Sequence, residues 1–583
     1  MEEDMLSVQS FNFTYPTQSD AALSDLSFEV DEGEVLGVVG PVEAGKTTLA
    51  MSLASFAPQN TGGTTSGDIS VAGRDPRDAN DNKVAMVFED YAAQLTQVRV
   101  IDEVIAPLVN RGIPRDKATE RARDLLERVR MADTEDKFTW ELSGGQQQRL
   151  AIAAALAIDP EVMIFDTARD MLDPEGRDDV GNLVASLAGE KTLVVTENDP
   201  DALVGIADKL LVLDDGQRVA FGPADDLLRD HDLFKQIGVA PPVCCEIAND
   251  VGLAGNPLTP GEFLNASERH RTADSRGSCA TVQAPDGGIP NAAEFGEPLV
   301  RVEGARYEYG TDEVAVEDVD FTVHEGEVHA VVGGNGAGKT TFSKLLAGLF
   351  APTAGTVSVD GDSTEGRTAR DVAETVGIAL QNPDEQLSEQ TVEAELRFPL
   401  EKRQYEKTGL LGLSKRERYD KEFIDSRVED VRRLVGLDEE QLDEDPMFLP
   451  RGQRRQVNMA SALMPDPDVL VLDEPVAGVD ATAHRHVEQT ISRLTDQGKG
   501  VVVIDHDMDF VCEVADTVTV LDDGSVAMQG PTKEVFDPDN WEWLASRHLL
   551  PPRPARLARR VGIEALTADE FVEQFAPRVE VSG

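Results

Sequence analysis

Gly333-Gly334-Asn335-Gly336-Ala337-Gly338-Lys339-Thr340-Thr341 has the residue types and spacing to hold phosphate. Glycines let successive backbone N–H groups turn inward as an anion nest, and a helix opening behind them adds partial positive charge. Lys339 would serve the outer phosphates, and the Thr340 hydroxyl a Mg²⁺ ion bridging them. Gly40-Pro41-Val42-Glu43-Ala44-Gly45-Lys46-Thr47-Thr48 repeats the pattern, with Lys46 and Thr47 in the same places. Such a loop also needs a metal-holding acid at the end of a neighbouring strand. Asp166 and Asp473 close apolar runs and fit that role. Glu474 follows Asp473 and can orient or deprotonate a water in line with the terminal phosphate. Thr167 follows Asp166 and cannot act as a base near neutral pH. A third constellation, Leu142-Ser143-Gly144-Gly145-Gln146-Gln147-Gln148-Arg149, opens an Ala-rich helix. Its Ser hydroxyl and glycine N–H groups make another helix-terminus anion site; a plain Ser N-cap after a turn describes the same geometry.

The elements that must position these residues occur twice. Val35 to Val39 and Val328 to Val332 each run into a phosphate loop and then a helical pattern. Lys46 and Lys339 lie 293 residues apart, Glu89 and Gln381 292, and Asp166 and Asp473 307. The offset therefore jumps once, between residues 90 and 142, and the second half carries an insertion around Gln404 to Asp425, expected to be helical. Val162 to Phe165, Leu193 to Val195 and Leu211 to Leu213 read as strands, with counterparts at Val469 to Leu472, Val501 to Ile504 and Val518 to Leu521. Continuous apolar runs imply a mainly parallel sheet buried on both faces. The alternating segments Leu6 to Val30 and Leu299 to Val323 imply an antiparallel β portion in each half. The repeat continues in the tails, where Gly238…Pro241-Pro242…Leu258-Thr259…Glu262-Phe263 echoes His548…Pro551-Pro552…Leu566-Thr567…Glu570-Phe571. The expected plan is α/β throughout: a nucleotide-binding domain over 1–235, its helical tail over 236–265, a Gly/Ala/Pro/Ser-rich flexible linker over 266–297, a second domain over 298–540 and its tail over 541–583.

Composition narrows the function. The chain has 583 residues and a net charge of −55, from 54 basic and 109 acidic side chains. Acid is spread along the chain, with no basic face for nucleic acid. Self-repulsion on that scale is tolerable where salt screens it, so a chain adapted to high salt is expected. Cys244, Cys245, Cys279 and Cys512 form no C-x-x-C, which argues against a zinc site or disulfide framework. The N-terminal Met1-Glu2-Glu3-Asp4 has no signal-peptide pattern, and no apolar run approaches the ~18 residues of a membrane span. Work at a membrane would need another chain to provide the span.

The two phosphate loops, Asp166, Asp473 and the Ser143–Gln146 segment together resemble the ATP-binding cassette (ABC) family, twice, over nearly the whole chain. The resemblance implies two tandem P-loop NTPase domains, each with an antiparallel β portion, a mainly parallel core sheet and a helical subdomain, binding ATP with Mg²⁺. It implies head-to-tail pairing of the cassettes, each ATP lying between one phosphate loop and the opposite signature. The family positions put Tyr15 and Tyr309 on adenine (a sheet-facing aromatic is the alternative), the loop residues from Gly40 to Thr48 and Gly333 to Thr341 on phosphate, and Ser143, Gly144, Gly145 and Gln146 on the nucleotide held opposite. Metal ligands would be Thr47, Asp166, Thr340, Asp473 and Gln381, and the catalytic set Glu474, Gln381 and His506. Leu172-Asp173 and Val479-Asp480 match the segment that crosses between cassettes. In the first half the glutamine position is Glu89, the catalytic glutamate Thr167 and the switch histidine Glu197. In the second half the signature is Leu449-Pro450-Arg451-Gly452-Gln453, where Pro removes an N–H and Arg adds bulk.

Gln381-Asn382-Pro383-Asp384-Glu385-Gln386-Leu387, partly kept in Gln94-Leu95, and the Pro-Pro tails resemble the energy-coupling factor transporters, which take up vitamins or transition-metal ions. That resemblance implies a peripheral ATPase at the cytoplasmic face of the membrane, bound to a membrane scaffold subunit and a small substrate-capture membrane subunit. A conventional ABC importer ATPase is the nearer alternative. A twin-cassette ATPase acting on ribosomes is the alternative of another class; it would call for basic surfaces, long charged linkers or iron–sulfur cysteines.

Overall fold

The computed structural model describes residues 5–16, 18–78, 83–167, 174–274, 295–310, 313–403, 405–408, 414–479 and 481–575. Contacts divide the chain into two compact units, one of Met1–Cys279 with Arg560–Ile563 and Val572–Gly583, the other of Ala280–Arg559 with Glu564–Phe571.

In the first unit, period-two burial sets the antiparallel sheet. Leu6, Val8, Phe28 and Val30 point into the core while Ser7 and Glu29 face outward. The strand order is Leu23–Val30, Leu6–Thr14, Thr64–Val71. Thr64–Val71 is polar over its first five residues, so its sequence gives little alternation to read. The second sheet runs Val84–Val87, Val162–Asp166, Thr192–Glu197, Val35–Val39, Lys209–Asp214, Gln217–Pro223, with only the last pair antiparallel. Every residue of Val35–Val39, Val162–Asp166 and Thr192–Glu197 is buried, as a sheet covered on both faces requires. Phe11, Phe13, Leu36, Val38, Leu49 and Ile164 fill the layer between the two sheets. Helices Val100–Asn110, Arg115–Arg128 and Gly144–Ala157 bury Val104, Leu108, Ala118, Ala122, Leu126 and Leu150 together as the helical subdomain.

The second unit repeats this plan. Its antiparallel sheet is Glu313–His324, Pro298–Tyr309, Ala354–Val359, Asp362–Ser363, and its mainly parallel sheet is Val376–Ala379, Val469–Asp473, Gly500–Ile504, Val328–Gly333, Thr517–Asp522, Ser525–Pro531. In both units the phosphate loop leaves the C-terminal end of the strand that lies two places from the one ending in Asp166 or Asp473. Loop and acid thus open at one edge, where α/β sheets bind ligands.

Three expectations need correction. The insertion expected to be helical begins as a β-hairpin, Tyr405–Thr408 with Ser414–Glu417; only from Lys421 does a helix run, to Val435. Gly409 and Gly412 in this stretch of sequence disfavour a continuous helix. The span expected as linker, 266–297, starts inside a helix, Pro260–Asp274, that buries Ala266 and Ser267. That helix opens with Thr259 accepting the Glu262 N–H while Glu262 accepts the Leu258 N–H, and Thr567, Glu570 and Leu566 repeat the arrangement. Third, strand register moves the first half's histidine position by one residue. Asp166 pairs with Thr196 and Asp473 with Ile504, so Glu197 matches Asp505 and the residue matching His506 is Asn198. The Asp166–Asp473 offset does not carry through, because the second unit has one more residue between these two strands, and only the pairing fixes the match at Asn198. Residues 275–294, Cys279, Leu172, Asp173 and Asp480 lie outside the described residues. Cys244, Cys245 and Cys512 are buried thiols outside any disulfide, and burial pushes the Cys245 thiol up to about 11.

Candidate active site

The second unit's loop turns at Gly338, whose φ of +95° and approach to Ala315 O leave no room for a Cβ, which would stand 2.2 Å from that oxygen. Behind it Lys339 Nζ donates to Gly333 O (2.7 Å) and Gly334 O (3.1 Å), which curls the loop around its own ammonium group. Thr340 opens the helix Lys339–Leu346 and is exposed at the mouth. Asp473 ends its strand 4 % exposed and accepts a hydrogen bond from Ser343 Oγ (3.2 Å). Burial, then the neighbouring Glu474, push Asp473 up to about 6. Asp473, Thr340 and the Gln381 carboxamide offer hard oxygen donors, a set that suits Mg²⁺.

Glu474 sits at φ +50°, turned out of the strand by the bond from its N–H to Ile504 O. Its carboxylate meets two groups: Gln381 Nε2 donates to Oε2 (2.5 Å), and His506 Nδ1 lies 3.4 Å from Oε1. Burial opposes ionisation, but His506, Gln381 and Lys339 together hold the carboxyl below its usual range. All three expected catalytic residues therefore converge, with the base kept charged. His506 is itself placed by Asp505, a 1 % exposed carboxylate that accepts the N–H groups of His506 (2.7 Å) and Asp507 (2.9 Å). Burial pushes Asp505 up to about 6. The sequence reading missed this acid, although its place beside the histidine was visible.

The first unit builds the same frame with other side chains. Gly45 has φ +93°, and Lys46 Nζ donates to Gly40 O and Pro41 O, both at 2.7 Å. Thr47 and Thr196 hydroxyls donate to Asp166 Oδ1 (3.2 and 2.8 Å). Thr167 keeps the left-handed backbone of its counterpart, φ +46°, yet presents no carboxylate. One departure went unread in the sequence. Gly336 turns the second loop at φ +81°; Glu43 takes that corner in the first at φ +68°, a left-handed angle that strains a residue with a side chain and adds an acidic residue to the loop. In both units the expected adenine-stacking tyrosine ties back to its loop: Tyr15 to Thr48 and Tyr309 to Thr341, hydroxyl to hydroxyl at 3.1 Å.

Gln386 and its twin Gln94 staple the glutamine loops shut. Gln386 accepts the Leu380 N–H (2.8 Å) and donates to Ile378 O (3.1 Å); Gln94 accepts the Phe88 N–H (3.3 Å) and donates to Met86 O (2.9 Å). Beyond each loop a buried carboxylate, Glu395 or Glu103, accepts two backbone N–H groups. The signature helices differ. Ser143 caps Gly144–Ala157 in a capping box with Gln146, leaving the Gly144 and Gly145 N–H groups at an open helix end. Pro450 caps Arg451–Leu463 with no side-chain bond. Among the described residues no helix is long and apolar enough to cross a membrane.

The profile of the ABC transporter family matches residues 23–169 and 316–477. A protein of Methanosarcina acetivorans named as an ABC transporter ATP-binding protein is 33% identical over 96% of this chain and 91% of its own length. One of Bacillus subtilis named as the HMP/thiamine import ATP-binding protein YkoD is 28% identical over 92% of this chain and 93% of its own. The structure of cbiO1 from Clostridium perfringens, described as part of the ABC transporter complex cbiONQ, is 28% identical, covers 43% of this chain and 95% of its own, and has a TM-score of 0.36. Two matched cassettes and end-to-end similarity establish that the chain belongs to the ABC transporter family, as an ATP-binding ATPase subunit with both cassettes in one polypeptide.

Proposed function

We propose that this chain is the ATPase pair of an energy-coupling-factor-type importer, and that it hydrolyses ATP at one of two composite sites. The observation that carries the reading is where the losses fall. If the cassettes pair head to tail, the first loop, Asp166, Thr167, Glu89 and Asn198 share a site with Pro450 and Arg451. The second loop, Asp473, Glu474, Gln381 and His506 share theirs with Ser143, Gly144 and Gly145. Every loss falls in the former and none in the latter. Independent decay would not sort four altered motifs, the signature counted once, this way. Glu43 adds a fifth to the damaged side.

At the intact site, Lys339 and the loop N–H groups hold the β- and γ-phosphates. Thr340, Asp473 and Gln381 would hold Mg²⁺, which supplies charge neutralisation at the phosphates. Ser143 and the N–H groups behind it close on the γ-phosphate from the other side. Glu474, kept ionised, takes a proton from the attacking water. Gln381 fixes one carboxylate oxygen of Glu474 and His506 the other. The damaged site binds nucleotide and turns it over slowly or not at all.

The importer class is supported by the Gln381–Leu387 motif, the doubled tails, and the import function in the name of YkoD, matched over nearly its full length. Exposed apolar side chains lie near each signature: in the first unit Trp140 (64%) and Val98 (56%), whose carbonyl accepts the Thr139 N–H, and in the second Met447 (47%) and Phe448 (87%). Membrane subunits docking beside the glutamine loops would cover them. Cargo, a vitamin or metal ion, is recognised by those subunits. Molar salt suits the charge of −55. Isolation of the native chain from membranes tests the reading: a scaffold subunit and a small capture subunit should accompany it. Recovery of the chain alone, with none left on membranes, would reject it.

A further inference from the structure

Two helices flank the catalytic edge of the second unit. Ala481–Asp496 follows the Asp480 segment, and Met508–Val514 starts directly after His506 and its Asp507 cap. His484 and Glu488 stand one turn apart on the first, with His484 Nδ1 3.7 Å from Glu488 Oε1. Glu513 on the second completes a set whose ligand atoms all lie within 4.8 Å of one another. The His484 ring packs against Phe510 at 5.1 Å, which limits its orientation. Glu488 and Glu513 face each other carboxyl to carboxyl, and Asp509 and Asp507 add further negative charge nearby. Two carboxylates so close need a proton or a cation between them.

We propose that His484, Glu488 and Glu513 bind one divalent transition-metal ion, which clamps the helix behind His506 to the helix behind Asp480. An imidazole with two carboxylates matches the borderline divalent ions, Zn²⁺, Co²⁺, Ni²⁺ or Mn²⁺, better than Mg²⁺ or Ca²⁺. His and Glu four residues apart present both ligands on one helix face, and a third from a neighbouring helix leaves coordination positions for water. The site is particular to the second cassette: the aligned first-unit positions are Arg177, Gly181 and Gly205. It is separate from the ATP-site metal position at Thr340 and Asp473, and does not depend on the transported cargo.

Co²⁺ titration of the chelator-treated full chain, without nucleotide and with excess Mg²⁺, tests this by visible absorption. One equivalent should bind and raise the thermal midpoint. His484→Gln and Glu488→Gln should each weaken binding at least tenfold and abolish the thermal shift, while Asp473→Asn keeps both. Circular dichroism shows whether each variant is folded; should one fail to fold, Glu513→Gln replaces it with the same expected loss. Absence of stoichiometric Co²⁺, its displacement by Mg²⁺, or wild-type binding in the folded variants would overturn the site and leave a proton-sharing carboxyl pair.

Discussion

Replacing Gln386 with leucine removes two hydrogen bonds and little volume. The Leu380 N–H and Ile378 O lose the partner that closes the neck of the loop. A neutral bond contributes ~1 kcal/mol net, and a part-buried group left unpaired costs ~1–3 kcal/mol. Gln386→Leu should therefore destabilise the second unit by roughly 2–4 kcal/mol. The loop also carries Gln381, which holds one oxygen of Glu474 at 2.5 Å. Loosening it should reduce kcat by ~10²-fold, the scale of misplacing one catalytic partner. Gln94→Leu supplies the control, because Gln94 makes the matching pair of bonds in a loop where Glu89 replaces Gln381. Thermal unfolding should show similar losses for both variants, and a coupled ATPase assay a large fall only for Gln386→Leu. Equal falls in kcat at equal stability would refute both the staple's catalytic role and the asymmetry between units.

Glu43→Gly should relieve about 1 kcal/mol of left-handed strain and tighten nucleotide binding to the first loop, read by equilibrium binding with the second loop blocked by Lys339→Ala. Unchanged affinity would show that the Glu43 carboxylate does not reach the phosphates. Glu327, 2 % exposed between His329 (3.2 Å) and His324 (2.8 Å), pays a burial penalty, but the two histidines hold it down to about 2. A depressed carboxyl stabilises above its unfolded value and loses that contribution as pH falls, here from about 4.5 towards 2. Glu327→Gln should cost on the order of 3 kcal/mol at neutral pH and flatten that acid limb in denaturant titrations; an unchanged limb would reject it.

Much of the fold was legible because duplication printed each element twice. Strands buried on both faces, such as Val162–Asp166, spell continuous apolar runs, and phosphate loops announce their backbone through glycine. Glu474 was readable as a carboxylate directly after the strand-ending Asp473, whereas Gln381 and His506 came only with the family resemblance; the structure brings all three side chains together. What escaped reading depends on register or on backbone angle. The first half's counterpart of His506 is Asn198 and not Glu197, because the spacing between the two strands differs between the halves and only hydrogen-bonded pairing reveals the match. Glu43 went unnoticed because an ordinary residue conceals a left-handed corner. The staples Gln94 and Gln386 looked like motif letters until their bonds to backbone were seen. The hairpin from Tyr405 carries so many charged residues that it imitates an exposed helix.

The central claim is that a single glutamate drives hydrolysis while both loops hold nucleotide. Counting ATP turnover and bound nucleotide in Glu474→Gln tests it most directly. The account predicts no measurable turnover with two nucleotides retained per chain. Substantial residual hydrolysis in that variant would place a second working base in the molecule and contradict it.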